Sequence, residues 1–537
     1  MKKKALMTIL PLCVAMAMTA CGGNADTAEV KETTVAEESA EADAQTEAEA
    51  EEQAESEETD EYYEAGRRSL YGLDGAQIDL ADAHTNFTKS QELGNTDANF
   101  YLGVLADWYG YPKKDYEQAK VYYEQSGDNP YAQISLGFLY YNGQGVEQDM
   151  EKGKELFQSA VDQGVVEGYY GLAKVAENAG DIETALEHYN KVVQEGAEQF
   201  YIVSAMSDIG YVYDNGFGVE QDGTKAVEWY TKAADLGDLN AMFCLGRMYE
   251  YGVSVEQDGT KAVEWYTKAA DLGHSEAMYC LGYEYYIGFG VEQDGTKAVE
   301  WYTKAADLGH SGAMYNLGNM YDNGGVVEQD STKAVEWYTK AADLDYSEAM
   351  YCLGNMYDNG FGVEQDSTKA IEWYTKAADL GHSEAMNNLG YMYAKGDGVE
   401  QDHDKALEWY VKSLSSFPDY EVYKMIVDIL HGEDAAEKWF EESGDAEKMM
   451  ALAGLYRSNY SENGEQVLPD FDKAIEWYTK AADLGNTDAM KMIGYMYTLG
   501  SLYGGEDDLE KAIEWYQKAA DLGNADAQSY LERLQEQ

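Results

Sequence analysis

The sequence predicts an all-α fold, a solenoid of stacked two-helix repeats, and three observations lead to this prediction. The segments 216–237 and 288–309 are identical letter for letter. Tryptophans recur every 36 residues along the middle of the chain, at Trp229, Trp265, Trp301, Trp337, Trp373 and Trp409. Apolar residues within each copy return every three or four positions, as on one face of a helix. Units of this length bury their apolar faces by stacking on their neighbours.

The first 20 residues predict a signal peptide. Three lysines at positions 2–4 precede an apolar run over 5–18, which is too short to span a bilayer. One interpretation is an ordinary secretion signal that is cleaved. The segment MTAC at 18–21 resembles a bacterial lipobox, however, and this resemblance implies that the thiol of Cys21 carries a lipid. We therefore expect a lipid-anchored protein on the extracytoplasmic side of a cell membrane.

Residues 21–64 predict an acidic stalk. Between 24 and 64 there are 17 acidic residues and a single base, Lys31. Such a segment buries too little apolar surface to offset the entropy of ordering, so we expect it to be disordered. A single helix rich in Ala and Glu is the alternative. Beyond the stalk we expect divergent repeats over 65–200, regular repeats over 201–413, degenerate repeats over 414–460, and final repeats with a capping helix over 461–537.

The charge of the chain excludes one class of partner. There are 101 acidic and 38 basic residues, which gives a formal net charge of −63. A surface this acidic repels phosphate backbones, so we expect no nucleic acid partner.

Each repeat predicts two helices. The first runs from Ser275 to about Ile287, and Gly282 within it indicates a close helix crossing, because glycine disfavours a helix interior. Asp258 is the expected N-cap of the second helix, and Gly273 is its expected stop. The predicted core faces are Ala277, Leu281 and Tyr285 on the first helix and Ala262, Trp265, Tyr266, Ala269 and Ala270 on the second. We expect each tryptophan to be a wedge in the core.

The residues at fixed positions within one copy resemble the pattern of the Sel1-like repeats, which are relatives of the tetratricopeptide repeats. The pattern A-x-x-x-L-G-x-x-Y-x-x-G-x-G-V-x-x-D-x-x-K-A-x-x-W-Y-x-K-A-A-x-x-G is complete from Ala277 to Gly309. Near copies begin at Ala241, Ala313, Ala349 and Ala385. The resemblance implies a right-handed α-solenoid whose members bind proteins or peptides without catalysis.

Three groups of residues could suggest chemistry, but none predicts an enzyme, a metal site or a cofactor. Cysteines recur in one repeat slot, and we expect free, mostly buried thiols at Cys244, Cys280 and Cys352. Histidines recur in an inter-unit loop, and we expect surface positions for His274, His310 and His382. Glu-Gln-Asp recurs before each second helix with too few carboxylates for calcium, so we expect a capping role for the Asp.

The expected partner surface lies on the first helices, which line the concave face in the architecture implied by the resemblance. Residues two and six positions after the leading alanine vary between otherwise similar copies. These partner-binding candidates are Phe243, Tyr279, Tyr315, Tyr351 and Asn387, and beside them Arg247, Tyr283, Asn319, Asn355 and Tyr391. The favoured function is a protein- or peptide-binding scaffold. The alternative is an acidic structural surface protein with no specific partner.

Overall fold

The structure is a computed structural model that describes residues 59–73, 77–458, 460–462, 465–467, 469–500 and 507–535. The predicted signal peptide, Cys21 and most of the predicted stalk lie outside these residues. The described chain falls into two compact units, one ending at Gln293 and one beginning at Asp294. Within each unit, consecutive helices pack on one another in pairs. The predicted all-α fold of stacked two-helix repeats is therefore confirmed.

The first unit contains thirteen described α-helices and one π-helix. Helix α1 comprises the helical residues 59–71. The others are α2 (Leu80–Glu92), α3 (Asp97–Val104), the π-helix (Leu105–Tyr109), α4 (Tyr116–Gln125), α5 (Pro130–Asn142), α6 (Met150–Asp162), α7 (Gly168–Asn178), α8 (Ile182–Glu195), α9 (Gln199–Asn215), α10 (Gly223–Asp235), α11 (Leu239–Tyr251), α12 (Gly259–Asp271) and α13 (Ser275–Ile287).

The second unit contains fourteen described helices and one short antiparallel strand pair, which the sequence did not predict. The helices are α14 (Gly295–Ala306), α15 (Ser311–Asn323), α16 (Ser331–Ala342), α17 (Ser347–Asn359), α18 (Ser367–Asp379), α19 (Ser383–Lys395), α20 (His403–Ser416), α21 (Tyr420–Leu430), α22 (Glu433–Glu442), α23 (Ala446–Arg457), α24 (Phe471–Asp483), α25 (Thr487–Thr498), α26 (Leu509–Asp521) and α27 (Ala525–Gln535). Strands β1 (Tyr460–Glu462) and β2 (Glu465–Val467) pair between α23 and α24.

The end of the predicted stalk needs a correction. Residues 59–64 are helical and belong to α1. Tyr63 packs edge-on against Phe87 and Tyr101, with ring centroids 6.2 and 5.7 Å apart. Edge-on aromatic contacts of this kind are stabilising and hold α1 against the following helices. The last six residues of the predicted stalk, 59–64, are therefore helical and packed.

The caps of the helices follow the sequence closely. Asp258 accepts a hydrogen bond from the backbone N–H of Lys261 at 3.1 Å, which satisfies one of the free donors at the start of α12. Gly273 follows the end of that helix with φ of 100°, a conformation that favours glycine. Both predictions are confirmed.

Tyrosine, not tryptophan, is the core wedge of the regular repeats. Tyr266 is fully buried, whereas the neighbouring Trp265 is half-buried and carries the ammonium of Lys268 3.5 Å from its ring centroid. The prediction for the tryptophans was therefore wrong at this position. The indole is large and amphipathic, and it lies near the surface, where the ammonium of Lys268, three residues before the helix end, contacts its face. Trp477, at 3% exposure, is a buried exception.

The helix glycine makes room for this tyrosine in the regular copies. A Cβ atom at Gly390 would lie 2.6 Å from the ring of Tyr410, and one at Gly318 would lie 2.5 Å from the ring of Tyr338. Real Cβ contacts are longer than this, so only glycine fits unless the ring moves. The close approach predicted from the glycine slot is therefore confirmed in these copies.

One core slot holds a carboxyl group where other copies hold methionine. Seven residues after the leading alanine, Met248, Met320 and Met356 are buried. Glu284 occupies the same slot at 1% exposure, and its Oε2 has no hydrogen-bond partner in the described part of the chain. Burial, together with repulsion from Glu250, raises the pKa of Glu284 to about 8.

Candidate protein-binding surface

The first row of predicted partner residues is less exposed than expected. Phe243, Tyr279, Tyr315, Tyr351 and Asn387 are all half-buried. The ring of Phe243 stacks on His274 with centroids 5.0 Å apart, and Tyr351 stacks on His382 at 4.5 Å. These rings contact the cap of the following first helix, so part of each side chain supports the packing between copies. The expectation that they project away from the core needs this correction.

The second row divides into two groups. Arg247, Tyr283 and Tyr391 are exposed, the two tyrosines at 44% and 49%. Asn319 instead accepts a hydrogen bond from the buried hydroxyl of Tyr338 at 2.7 Å. Asn355 accepts the equivalent bond from Tyr374 at 2.7 Å. The two asparagines serve the core, and only the other three side chains of this row are exposed to solvent.

The loop histidines are helix caps, which corrects the expectation of simple surface residues. The Nδ1 atom of His274 accepts the backbone N–H of Ala277 at 3.1 Å, and His310 does the same for Ala313 at 3.1 Å. Asp238 and Asn486 occupy the same slot in other copies and also accept a backbone N–H. A neutral imidazole can therefore replace Asp or Asn at this position because each supplies one acceptor.

The three repeat cysteines are free thiols, as predicted, and all three are half-buried where mostly buried thiols were expected. Burial raises the pKa of Cys280 to about 12 and that of Cys352 to about 11. Burial also raises the pKa of Cys244. The thiolate is the nucleophilic form, so these cysteines are poor nucleophiles at neutral pH.

The described residues contain no cluster of three or more His, Cys, Asp or Glu side chains able to hold a metal ion. Across the same residues, no helix combines the length and the apolar character that crossing a membrane requires.

Sequence reasoning missed a cavity in the first unit, which we call the N-terminal aromatic cavity. It has a volume of about 80 Å³. Most of the residues that line it are aromatic, and Glu198 is the acidic residue among them. The rings used in the arguments below are those of Tyr71, Phe100, Trp108, Tyr109, Phe200 and Tyr201. The sequence analysis had treated this region only as divergent repeats.

Two departures from the repeat spacing form this cavity. The turn glycine follows the leading alanine by 11 residues in the regular copies, as from Ala277 to Gly288, but by 12 from Ala98 to Gly110. The extra residue is accommodated by the π-helix Leu105–Tyr109, which carries Trp108 and Tyr109. Such single π-turns are frequent at functional sites. The irregular spacing was therefore the signal available in the sequence.

The second departure is an extra turn at the start of α9. This helix has 17 residues, whereas the equivalent α11 has 13. The added turn, 199–202, carries Phe200 and Tyr201, and Glu198 is the N-cap residue before it. The ring of Phe200 contacts Trp108 edge-on, with centroids 4.8 Å apart. The two departures therefore meet in one place.

Comparisons with known proteins place the repeats in a family. The Sel1 repeat model matches ten segments that together cover more than half of the chain. They are 96–129, 130–165, 203–238, 239–274, 275–310, 311–346, 347–382, 383–415, 449–486 and 487–524. Residues 166–202, which include Glu198, Phe200 and Tyr201, lie between matched segments.

Solved structures that resemble this chain include Sel1 repeat proteins. One is c5321, a protective antigen of uropathogenic Escherichia coli with an SLR fold; identity is 28%, coverage 90% of this chain and 92% of that chain, and the TM-score 0.41. Another is a Sel1 repeat protein from Oxalobacter formigenes, which is 32% identical. The match covers 46% of this chain and 96% of that chain, and the TM-score is 0.39. Because the repeat model accounts for most of the folded chain, the protein belongs to the Sel1 repeat family, whose members generally serve as non-catalytic protein-interaction scaffolds.

Proposed function

We propose that the protein is a non-catalytic scaffold that binds a protein or peptide on the outer side of a bacterial cell membrane, where a lipid on Cys21 holds it. The observation that supports binding most strongly is the variation of exposed side chains on otherwise repeated helices. Arg247, Tyr283 and Tyr391 occupy one repeat slot, and all three are exposed. Tyr and Arg are the residue types that most often dominate the energy of an interface.

The charge of the chain indicates the character of the partner. With a formal net charge of −63, the protein repels acidic molecules and attracts basic ones. Dissolved salt screens this interaction at distances beyond the Debye length. Complementary charge speeds association and suppresses wrong partners more than it adds affinity. We therefore expect a basic protein or peptide whose capture weakens as salt is raised.

A triple variant tests the proposed partner residues, two of which lie in the first unit and one in the second. We expect R247A/Y283A/Y391A to lose most of the partner captured by the parent from cell-envelope extracts, because it removes the three exposed side chains of the slot. The matched control is L308A/L344A/L380A, which truncates three leucines that are 56%, 49% and 50% exposed near the ends of second helices. Circular dichroism checks that both variants retain the helicity of the parent.

Two outcomes would contradict the binding proposal. One is a triple variant that captures every partner as the parent does, and the other is equal loss in the leucine control. A parent that captures nothing specific would favour the acidic structural surface protein instead.

The anchor is tested separately. We expect Cys21→Ala to leave the protein unprocessed or to release it from membranes, because that thiol is the proposed site of lipid attachment. Membrane fractionation and intact mass measure both effects. A processed Cys21→Ala protein that stays in the membrane fraction would rule out lipid anchoring at this residue.

A further inference from the structure

We propose that the N-terminal aromatic cavity binds an alkylammonium cation, with the carboxyl group of Glu198 facing its positive charge and aromatic rings enclosing its alkyl groups. This site is separate from the varying slot on the regular repeats. It adds a ligand class to the proposed scaffold and does not depend on the identity of a protein partner.

The size of the cavity suits a small organic group. A single water needs about 10–15 Å³ of comparable volume, so a cavity of about 80 Å³ holds a group of several heavy atoms. Trp108 is the lining residue with a large exposed area, at 40%. Phe100 and Tyr71, at 7% exposure each, lie deeper. A ligand can therefore enter past one partly exposed ring and contact buried rings.

Glu198 supplies the charge that selects a cation. Glu198 is among the residues that line the cavity, it is 4% exposed, and its Oε2 has no hydrogen-bond partner among the residues the structure describes. An unpaired buried carboxylate is costly, and a bound cation would offset that cost. Burial, followed by repulsion from Glu167, raises the pKa of Glu198 to about 7. The group is thus poised to ionise when a cation arrives.

The backbone around Glu198 is fixed by another side chain. The Oε1 atom of Glu167 accepts the backbone N–H groups of Ala197 and Glu198 at 2.8 and 2.9 Å. Glu167 is itself 2% exposed and holds the entry to α9 in place. It does not line the cavity, so its role is to position Glu198.

The other ionisable groups around the cavity also favour a cation. Besides Glu198, the acidic groups that act on the lining tyrosines are Glu167 and Asp107, and the basic group is Arg67. Burial raises the pKa values of Tyr71, Tyr109 and Tyr201, so these phenols stay neutral. Acidic groups outnumber the one base, and anions are disfavoured.

The wall chemistry separates an organic cation from a metal ion. Calcium takes six to eight oxygen ligands, and the cavity offers one carboxyl group among mostly aromatic rings. Aromatic faces attract cations through their quadrupole, and quaternary ammonium groups are well suited because their charge is spread over apolar methyl groups. An alkylammonium group therefore suits this cavity, because its positive charge can pair with the carboxyl group and its alkyl groups can contact the aromatic rings.

The test is titration of the full-length protein with choline, measured by isothermal titration calorimetry and by tryptophan fluorescence. The contribution of Trp108 to the fluorescence change is the difference between the parent and the Trp108→Ala variant. The matched ligand is 3,3-dimethylbutan-1-ol, the neutral analogue of choline with the same shape. We expect choline to bind at least tenfold more tightly than the alcohol. We also expect the affinity for choline to fall as pH is lowered from 8 to 6, because protonation of Glu198 removes the negative charge.

Variants assign the effect to the cavity. Glu198→Gln should weaken choline binding at least tenfold and remove the pH dependence, and Trp108→Ala should weaken it as well. Glu195→Gln, an exposed acid on the preceding helix, is the control and should bind as the parent does. Circular dichroism confirms that each variant is folded. Equal affinity for choline and the alcohol, no binding of choline, or unchanged binding by Glu198→Gln would each overturn the proposal.

The source of the cation is distinguished by further probes. Binding of choline but not of N-acetyl-trimethyllysine methylamide indicates a free small molecule. Tighter binding of the lysine derivative indicates the side chain of a peptide. These titrations need no protein partner, so their failure leaves the proposed scaffold function intact, and failure of partner capture leaves the cavity proposal intact.

Discussion

The regular repeats of the second unit and the divergent repeats at the start of the first unit use the same fold differently. In the second unit, Tyr338 fits against Gly318 and Lys340 covers Trp337, and the same contacts recur around Tyr374 and Trp373. In the first unit, a π-turn and a lengthened helix break the spacing and open a cavity. Repetition maintains the packing, and departure from the repeat spacing opens a cavity.

The largest expected effect is the loss of stability when the buried tyrosine of a regular repeat is truncated. Tyr338 is 1% exposed, whereas Trp337 beside it is half-buried. We expect Tyr338→Ala to lower the free energy of unfolding by about 3–5 kcal/mol, as for other large aromatic truncations in a core. Trp337→Ala should cost clearly less, because it removes surface packing and a cation–π contact of about 0.5–1 kcal/mol. Denaturant unfolding followed by circular dichroism measures both.

The reverse order, with Trp337→Ala the more damaging, would mean that tryptophan is the wedge after all. Equal losses would mean that the two rings share the core.

A second, smaller effect tests whether the helix glycine is needed to make room for the buried tyrosine. Gly318→Ala places a Cβ 2.5 Å from the ring of Tyr338, and we expect a loss of about 1–3 kcal/mol from overpacking. Gly454 is also a helix glycine, but it lies one residue after this slot, which Ala453 occupies in its repeat, and a Cβ on Gly454 would meet its nearest neighbour, Pro418, only at 3.8 Å. Gly454→Ala should therefore be neutral or stabilising by up to about 1 kcal/mol, since alanine favours a helix. Equal losses in thermal unfolding would contradict the packing account.

A third effect concerns the carboxyl group in a methionine slot. The pKa of Glu284 is raised to about 8 in the folded chain, against an ordinary value near 4.5. The folded state therefore holds this proton more tightly, and stability is lost as pH rises from about 4.5 to about 8. We expect Glu284→Met to raise the melting temperature slightly at pH 5 and markedly at pH 8.5. An equal gain at both pH values would mean that Glu284 does not titrate as described.

The repeated parts of the fold could be predicted from the sequence because each slot is stated several times. The cap at Asp258, the stop at Gly273 and the close crossing at the helix glycine were all predicted correctly. The roles of Trp265 and Tyr266 could not be separated, because adjacent residues both fall near one helical face and only packing decides which is buried. The capping role of His274 was missed because imidazole is a rarer acceptor than Asp or Asn at that position.

The candidate site was harder to predict than the fold. Phe243 and Tyr351 were placed on the correct helices, but their contacts with the next cap depend on how copies stack. Glu198 and Trp108 are about 90 residues apart, and no local pattern links them. The extra residue before Gly110 was visible in the sequence, yet its consequence is a π-turn that appears only in three dimensions.

The most direct measurement is hydrogen–deuterium exchange of the full-length protein with and without saturating choline, read by mass spectrometry. The central claim is that the departures from the repeat spacing, and not the repeats themselves, carry the ligand site. It predicts added protection in peptides covering 104–110 and 197–203, with regular repeats over 311–395 unchanged. Protection confined to the regular repeats, or protection nowhere at saturating choline, would contradict it.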